Sequence, residues 1–294
     1  SRTFLISACH DKNPMLRDST TGDWIGTLMG HKGAVWSAKL DPSANLAATA
    51  SGDFSVKVWD AITGSELFVF AHKHIVKTVD FSPDSRRLAT GGHEGILRIY
   101  DLVNRQTKKP IEIMQGGVDS SKQIIITKCV WLNNNIVLAA DSDGNISIWN
   151  VSNSTLLHTL HVDAAVRDME YLQSKQILTV AAGQTVTFFQ LAPHFYSSSQ
   201  SSNRMKVEGK FLRSHVMPIH FREEGGASLH PNGTKFVAGG SDLWVRVFDF
   251  DTGKELECHR GHHGPIRCLR YAPDGMIYAT GSEDGTIRLW KTDP

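Results

Sequence analysis

Short apolar runs rich in β-branched and aromatic residues alternate along the whole chain with breaks of Gly, Asp, Asn and Pro. That pattern predicts strands and tight turns throughout rather than helices. One stretch shows the unit clearly. Gly30-His31 opens it, Ala34 to Leu40 reads as one strand and Leu46 to Ala50 as the next. A turn carrying Asp53 leads to a third strand, Ser55 to Trp59; Thr63-Gly64 turns the chain into a fourth, Glu66 to Phe70. The first strand is apolar on both faces, as expected for a sheet covered on each side by a neighbour. The turn Ser82-Pro83-Asp84 returns as His230-Pro231-Asn232-Gly233 and Ala272-Pro273-Asp274-Gly275.

The unit repeats. Its closing aromatic-position residues are Arg17, Trp59, Tyr100, Trp149, Phe189, Phe248 and Trp290, separated by 42, 41, 49, 40, 59 and 42 residues. A period near 40 with a Gly-His opening and a Trp-Asp close marks a β-propeller blade, and seven marks predict a seven-bladed WD40 β-propeller, all-β, built from residues 1–294 as a single domain. By the same spacing the first blade's Gly-His falls upstream of Ser1, and Pro294 follows the third strand of the seventh blade. The expectation is a visible chain that lacks the N-terminal closing strand, with an open edge on the last blade. The 59-residue gap holds a serine-rich low-complexity insert, 191–210, expected to form an outer loop; Lys108 to Gln123 reads as a smaller excursion of that kind.

Spacing within blades carries chemistry. His31 lies 22 residues before Asp53, and His262 lies 22 before Asp284. Thr49 and Thr280 precede those Asp residues by four positions, and Trp59 and Trp290 follow them by six. Indole, hydroxyl, imidazole and carboxylate can form one buried hydrogen-bond chain, which stabilises when every member is satisfied. The trio imitates a hydrolytic triad, yet it recurs in separate blades, which assigns it a structural role. The third blade substitutes Glu94 and Tyr100, the fourth lacks its Gly-His and the fifth carries Gly183 at the Asp position, so these blades are expected to be less rigid.

Composition narrows the function. Net charge is +1, which gives no bulk electrostatic case for nucleic acid or membrane binding. No run of 18 apolar residues appears, and no signal peptide is visible. Cys9, Cys129, Cys258 and Cys268 lack a Cys-x-x-Cys pair and read as reduced thiols of a cytoplasmic or nuclear protein. Nucleotide-binding loops and nucleophile elbows are missing from the sequence. Cys258-His259 and His262-His263 resemble zinc ligands in type, but His262 already belongs to a blade network. The reading is therefore no catalytic residue, no metal and no cofactor.

What remains is surface. Residues that begin inner strands, and those just before the turn Asp, should converge on one rim. The first set includes Trp36, Lys77, Arg167 and Arg267; the second includes His10 and His93, with Ser142, Ser241 and Glu283. A ring mixing an indole, a lysine and two arginines is rich in hot-spot residue types, so this rim is the candidate partner surface for an acidic or aromatic peptide, with Trp36 foremost.

Several stretches go beyond generic repeats. Gly30-His31-Lys32-Gly33-Ala34-Val35-Trp36, Ala71-His72-Lys73-His74-Ile75-Val76-Lys77-Thr78-Val79-Asp80-Phe81, Leu97 to Leu102, Ala227 to Pro231 and Gly264-Pro265-Ile266 resemble the serine/threonine kinase receptor-associated (unr-interacting) protein family. The resemblance implies a non-enzymatic, cytoplasmic and nuclear adaptor. It implies survival-of-motor-neuron/Gemin-type complex components as partners in spliceosomal snRNP assembly, and also receptor kinases or an RNA-binding translation regulator. RNA would be met only through those partners, and the propeller would be monomeric within them. The alternative is the WD-repeat scaffold subunit of a eukaryotic translation initiation factor. The serine-rich insert departs from the family pattern.

Overall fold

The computed structural model describes residues 3–104, 109–114, 124–196, 204–221 and 225–292. Regular structure in them is entirely β, in seven antiparallel sheets. The first sheet holds β1 (Phe4–Ser7), β2 (Met15–Asp18) and β3 (Trp24–Thr27). The second holds β4 (Val35–Leu40), β5 (Leu46–Ser51), β6 (Ser55–Asp60) and β7 (Glu66–Ala71). The third holds β8 (Val76–Phe81), β9 (Arg87–Gly92), β10 (Ile96–Asp101) and β11 (Ile111–Met114). The fourth holds β12 (Ile126–Asn133), β13 (Ile136–Asp141), β14 (Asn145–Asn150) and β15 (Thr155–His161). The fifth holds β16 (Val166–Leu172), β17 (Ile177–Tyr196) and β18 (Arg204–Phe221). The sixth holds β19 (Gly226–Leu229), β20 (Lys235–Gly239), β21 (Trp244–Asp249) and β22 (Glu255–Arg260); the seventh holds β23 (Ile266–Tyr271), β24 (Ile277–Ser282) and β25 (Ile287–Lys291). In every sheet strands adjacent in sequence are adjacent in space.

Two compact units make up the chain: Ser1–Ser142 with Val151–Ser154, and Asp143–Asn150 with Thr155–Pro294. In the first unit, Ala48, Ala50, Val56 and Val58 of the second sheet pack on Val76, Val79, Phe81, Leu88 and Tyr100 of the third. Leu28, Ala47 and Trp59 form a second cluster, joined by Ile6 of the first sheet. The second unit repeats the scheme: Ile177, Val186, Phe188 and Met217 of the fifth sheet meet Leu229, Phe236 and Phe248 of the sixth. Val237, Val245 and Val247 meet Ile266, Leu269 and Tyr278 of the seventh. Inner strands such as β5 are buried on both faces, whereas the outer strand β7 alternates between exposed and half-buried positions. That is the difference between a covered strand and one with a face in water.

Two expected loops are partly strand. Within the insert 191–210, Leu191 to Tyr196 pair with Arg204 to Gly209, and only 197–203 lie outside the described residues. The pairing holds because Leu191 and Val207 are buried, and Gly209 lets Leu160 approach where a Cβ would stand 2.6 Å from it. Composition reports polarity but cannot report that an apolar residue at every few positions suffices to seat a hairpin. Lys108 to Gln123 likewise contains β11, the outer strand of the third sheet, while 115–123 fall outside the described residues. Strand β17 has two partners. Up to Ala182 it pairs with β16, and from Gly183 onward with β18. Gly183 turns there with φ +58°, and Leu191 N–H closes onto Gln176 C=O at 2.9 Å.

Candidate interaction surface

The hydroxyl of Thr49 sits at the centre of the second sheet's network. It accepts from Trp59 Nε1 at 2.9 Å and lies 2.7 Å from His31 Nε2, while His31 Nδ1 lies 2.8 Å from Asp53. Burial pushes the Asp53 carboxyl up, but donors from Ser55, the Lys32 amide and His31 outweigh it and hold the pKa at about 2. An ionised carboxylate only accepts, so His31 Nδ1 carries the proton and Nε2 takes the Thr49 hydroxyl. The seventh sheet repeats the chain: His262 lies 3.1 Å from Asp284 and 2.8 Å from Thr280, which accepts from Trp290 at 2.8 Å. Gly33 and Gly264 let the loop pass the turn, since a Cβ would stand 2.7 Å from the Asp53 amide and 2.9 Å from the Asp284 amide.

Neither Thr49 nor the His31 side chain has any exposed surface, so the trio cannot meet a substrate. Thr49→Val would strand an indole N–H and an imidazole nitrogen, at a cost of about 1–3 kcal/mol in urea denaturation. Thr280→Val should cost less, because Trp290 is only half-buried. Equal losses would show that burial of the indole does not set the cost.

In the third sheet the same positions build something different. Arg98 Nη1 donates to His72 Nδ1 at 2.7 Å and both guanidinium prongs grip Glu94, at 3.0 and 2.7 Å. Guanidinium only donates, so His72 Nδ1 bears the lone pair and Nε2–H faces Thr90 and Tyr100, at 3.4 and 3.3 Å. The tautomer is the reverse of His31's. The sequence reading marked Glu94 and Tyr100 as departures, but not the insertion of Arg98 between imidazole and carboxylate.

The zinc-like cluster disperses. His259 lies 2.9 Å from Glu257 and stacks on Trp290, the His263 amide donates to Asp284, and Cys258 is exposed. Among the described residues no group of His, Cys, Asp and Glu converges with metal-site geometry.

The rim residues have a common origin. In β4 the register passes from Val35↔Ser51 to Ser37↔Ala50, leaving Trp36 unpaired. Lys77 is skipped in the same way in β8, Arg167 in β16 and Arg267 in β23. A β-bulge with one extra residue re-aims that side chain out of the ladder. Each bulge follows a fully buried β-branched residue (Val35, Val76, Val166 or Ile266) that anchors the strand. Thr127 is a fifth such residue, after buried Ile126, which the sequence reading missed. The signal was a buried Val or Ile followed by a residue of any type. One main-chain bond then brings the residue before the turn Asp alongside: His93 N–H to Ile75 C=O at 3.0 Å, Ser142 to Ile125 at 2.9 Å, Ser241 to His220 at 3.1 Å and Glu283 to Pro265 at 3.0 Å.

In the first unit this machinery assembles a cluster. Val35 N–H donates to Cys9 C=O at 2.9 Å, which sets His10 edge-on to Trp36 with centroids 4.8 Å apart. Lys77 Nζ stands 3.2 Å from the centroid of the Trp36 ring. His93 stacks on His74 at 4.9 Å, and Phe54 leans on His74 at 5.5 Å. Burial, with His74 and Lys77 nearby, lowers the His93 pKa. The Trp36 indole N–H lies against Gly52 and has no acceptor among the described residues. In the second unit, Arg267 forms an ion pair with Glu283, and Arg167 sits at the β16 bulge.

A family model for the WD domain, G-beta repeat, matches residues 22–60, 64–101 and 253–291. The chain is 44% identical over 289 residues to the serine-threonine kinase receptor-associated protein of Homo sapiens, covering 98% of this chain and 75% of that one. It is 43% identical over 291 residues to the protein of that name from Dictyostelium discoideum, covering 98% and 90%. Eukaryotic translation initiation factor 3 subunit I of Culex quinquefasciatus is 28% identical over 298 residues, covering 97% and 89%. Among solved structures, the β-propeller domain of Myceliophteria thermophila Cps50 (Swd1) superposes with a TM-score of 0.80 at 15% identity, over 99% of this chain and 94% of that one. With seven sheets, that likeness shows the fold to be a seven-bladed β-propeller.

Proposed function

The chain belongs to the serine-threonine kinase receptor-associated protein family of WD-repeat proteins, and from that premise we propose that it is a non-catalytic scaffold that holds protein partners on the rim formed by its strand-start bulges. The observation that carries this reading is a division of labour. Side chains capable of proton transfer in the Thr-His-Asp trios are sealed and mutually bonded, whereas those the bulges turn outward include Lys77 and the hot-spot types Trp and Arg. The relatives' name supports receptor-kinase association, and the third-blade stretch from Ala71 to Phe81 supports a place in survival-of-motor-neuron-linked snRNP assembly, in cytoplasm and nucleus. A net charge of +1 favours contact with RNA through partners. The runner-up, a scaffold subunit of an initiation factor, rests on the 28% identity to subunit I.

Affinity capture tests it. The unaltered protein should retain Gemin-type components, and Trp36→Ala should retain at least about tenfold less, as expected when a hot-spot side chain is truncated. Arg267→Ala probes the second unit. Initiation-factor subunits in place of Gemin-type components would favour the runner-up. Full retention by both variants would refute the rim.

A further inference from the structure

We propose that the outer edge of β25 is a docking site for an extended segment of a partner protein that bears a glutamate, with apolar residues two and four positions after it. The inference goes beyond the rim, resting on different residues and a different mode of binding. The first ground is a repeated ion pair. In the second, third and sixth sheets the residue two positions before the closing aromatic is a cation, and it meets a glutamate of the outer strand. Lys57 pairs with Glu66, Arg98 Nε with Glu112 at 2.7 Å and Arg246 Nε with Glu255 at 3.2 Å. In the seventh sheet that position is Arg288, two before Trp290. Its Nε is buried and has no hydrogen-bond partner among the described residues, where β25 pairs on one side only, with β24. The acids of neighbouring segments are engaged elsewhere: Glu257 by His259, Asp284 by His262, the His263 amide and Thr286, and Glu283 by Arg267. A guanidinium so placed favours a carboxylate, which accepts from Nε and Nη together.

The second ground is shape. A Cβ on Gly30 would stand 3.3 Å from Trp59 Cη2, 3.8 Å from Lys57 Nζ and 3.6 Å from Glu66 Oε2; one on Gly261 would stand 3.2 Å from Trp290 Cη2 and 3.1 Å from Arg288 Nη1. Glycine, aromatic and cation are arranged alike in the two sheets, and the second sheet shows where the carboxylate goes. The third ground is apolar surface. Val56, Val58 and Trp59, in the strand paired with β7, are at most 1% exposed, whereas Ile287, Leu289 and Trp290 of β25 are half-buried. Register follows from the covered sheets. Glu66 stands opposite Trp59, with Phe68 opposite Val58 and Phe70 opposite Val56, and Glu255 stands opposite Phe248 in the same way. That pairing on β25 puts a glutamate opposite Trp290 and apolar side chains opposite Leu289 and Ile287. Main-chain bonds to a sheet edge then give affinity, and the side chains give specificity. A second copy of this chain fits less well: β25 against β25 opposes cation to cation, and Glu66, Glu112 and Glu255 already hold cations of their own sheets. RNA lacks the amide ladder that a strand edge pairs with.

The test uses the full chain and the peptide Ser-Gly-Glu-Thr-Val-Thr-Val-Thr, compared with the same peptide carrying Gln for Glu, by titration calorimetry and amide hydrogen exchange. The glutamate peptide should bind about tenfold more tightly and slow exchange in β25. Arg288→Gln should abolish that preference, and Arg288→Lys should keep most of it, since Lys57 serves Glu66 in the second sheet. Arg86→Gln, on an exposed turn of the third sheet, should leave binding unchanged. Unaltered thermal unfolding of Arg288→Gln, with the preference kept in Arg288→Lys, separates lost recognition from lost structure. Equal binding of the glutamine peptide, a preference that survives Arg288→Gln, or slowed exchange only outside β25 would each overturn the proposal. So would tighter binding of a uridine oligonucleotide, or a concentration-dependent dimer that protects β25 without peptide. Trp36→Ala leaves Arg288 and β25 untouched, so the rim and this edge stand or fall separately.

Discussion

Replacing Arg270 by Ala is expected to destabilise the protein by about 3–5 kcal/mol, the cost of leaving a buried charge without its partner. Asp168, on β16, is 3% exposed, and its two carboxylate oxygens receive the Arg270 guanidinium from β23 at 2.5 and 2.6 Å. Between them runs β19, whose Gly226 carries no Cβ; one placed there would stand 2.2 Å from Asp168 Oδ2. The pair therefore ties the fifth and seventh sheets across the sixth. The two halves are not equivalent. Without Arg270 the carboxylate stays buried without its guanidinium, whereas without Asp168 the guanidinium, with 31% of its side chain exposed, keeps Glu170 at 3.6 Å and reaches water. Asp168→Ala should accordingly cost less, about 1–3 kcal/mol, and the double substitution should recover part of the Arg270→Ala loss. Urea denaturation of the four proteins measures this. A loss under about 1 kcal/mol for Arg270→Ala, or simple additivity, would show that the pair is not coupled.

Acid should weaken the protein through His72 before it reaches the carboxylates. Burial and the Arg98 charge hold the His72 pKa at about 4, against an ordinary value of 6.5. Above pH 6.5 the imidazole is neutral in folded and unfolded chains, and the stabilisation is fully present. As pH falls from 6.5 towards 4 the unfolded chain takes a proton that the folded one refuses, and about 3 kcal/mol is lost. Glu94 acts in a second window. The Arg98 hydrogen bonds hold its pKa at about 2 against an ordinary 4.5, so its contribution, present above 4.5, disappears as pH falls to 2. His72→Gln keeps an acceptor for Arg98 but cannot titrate. Its stability should fall less steeply than the unaltered protein's between pH 6.5 and 5, the remaining slope coming from His31 and His93, whose pKa values burial also lowers, and then fall with the carboxylates. A slope matching the unaltered protein would place the acid sensitivity elsewhere.

Much of this molecule was readable in order along the chain, because a blade closes within about 40 residues and its hydrogen bonds follow fixed offsets. The Asp53 turn, the Trp59 position and the Gly-His opening are separated by constant spacings, so the four-residue network follows once the strands do. Even the substitutions were legible: Glu94 and Tyr100 announced that the third sheet departs from the pattern. That Arg98 would enter and reverse the imidazole tautomer was not, since it depends on a side chain's reach rather than its position.

The remainder was decided by neighbours. Low complexity from 191 to 210 read as loop, yet Leu191 and Val207 are buried, and Gly209 opens a place for Leu160 of another sheet. Asp168 and Arg270, 102 residues apart, are unremarkable in sequence and become a pair only when three inner strands lie side by side. The rim residues were named from their place in the repeat, but the bulges that turn Trp36, Lys77, Arg167 and Arg267 out of the ladder are register shifts between strands. The amino-acid order alone determined how many blades form and which polar groups close the second and seventh, since those contacts are local. Which side chains the bulges turn out of the ladder, and which sheets are tied together, only the tertiary structure decided, because register and long-range pairing have no fixed spacing to leave in the chain.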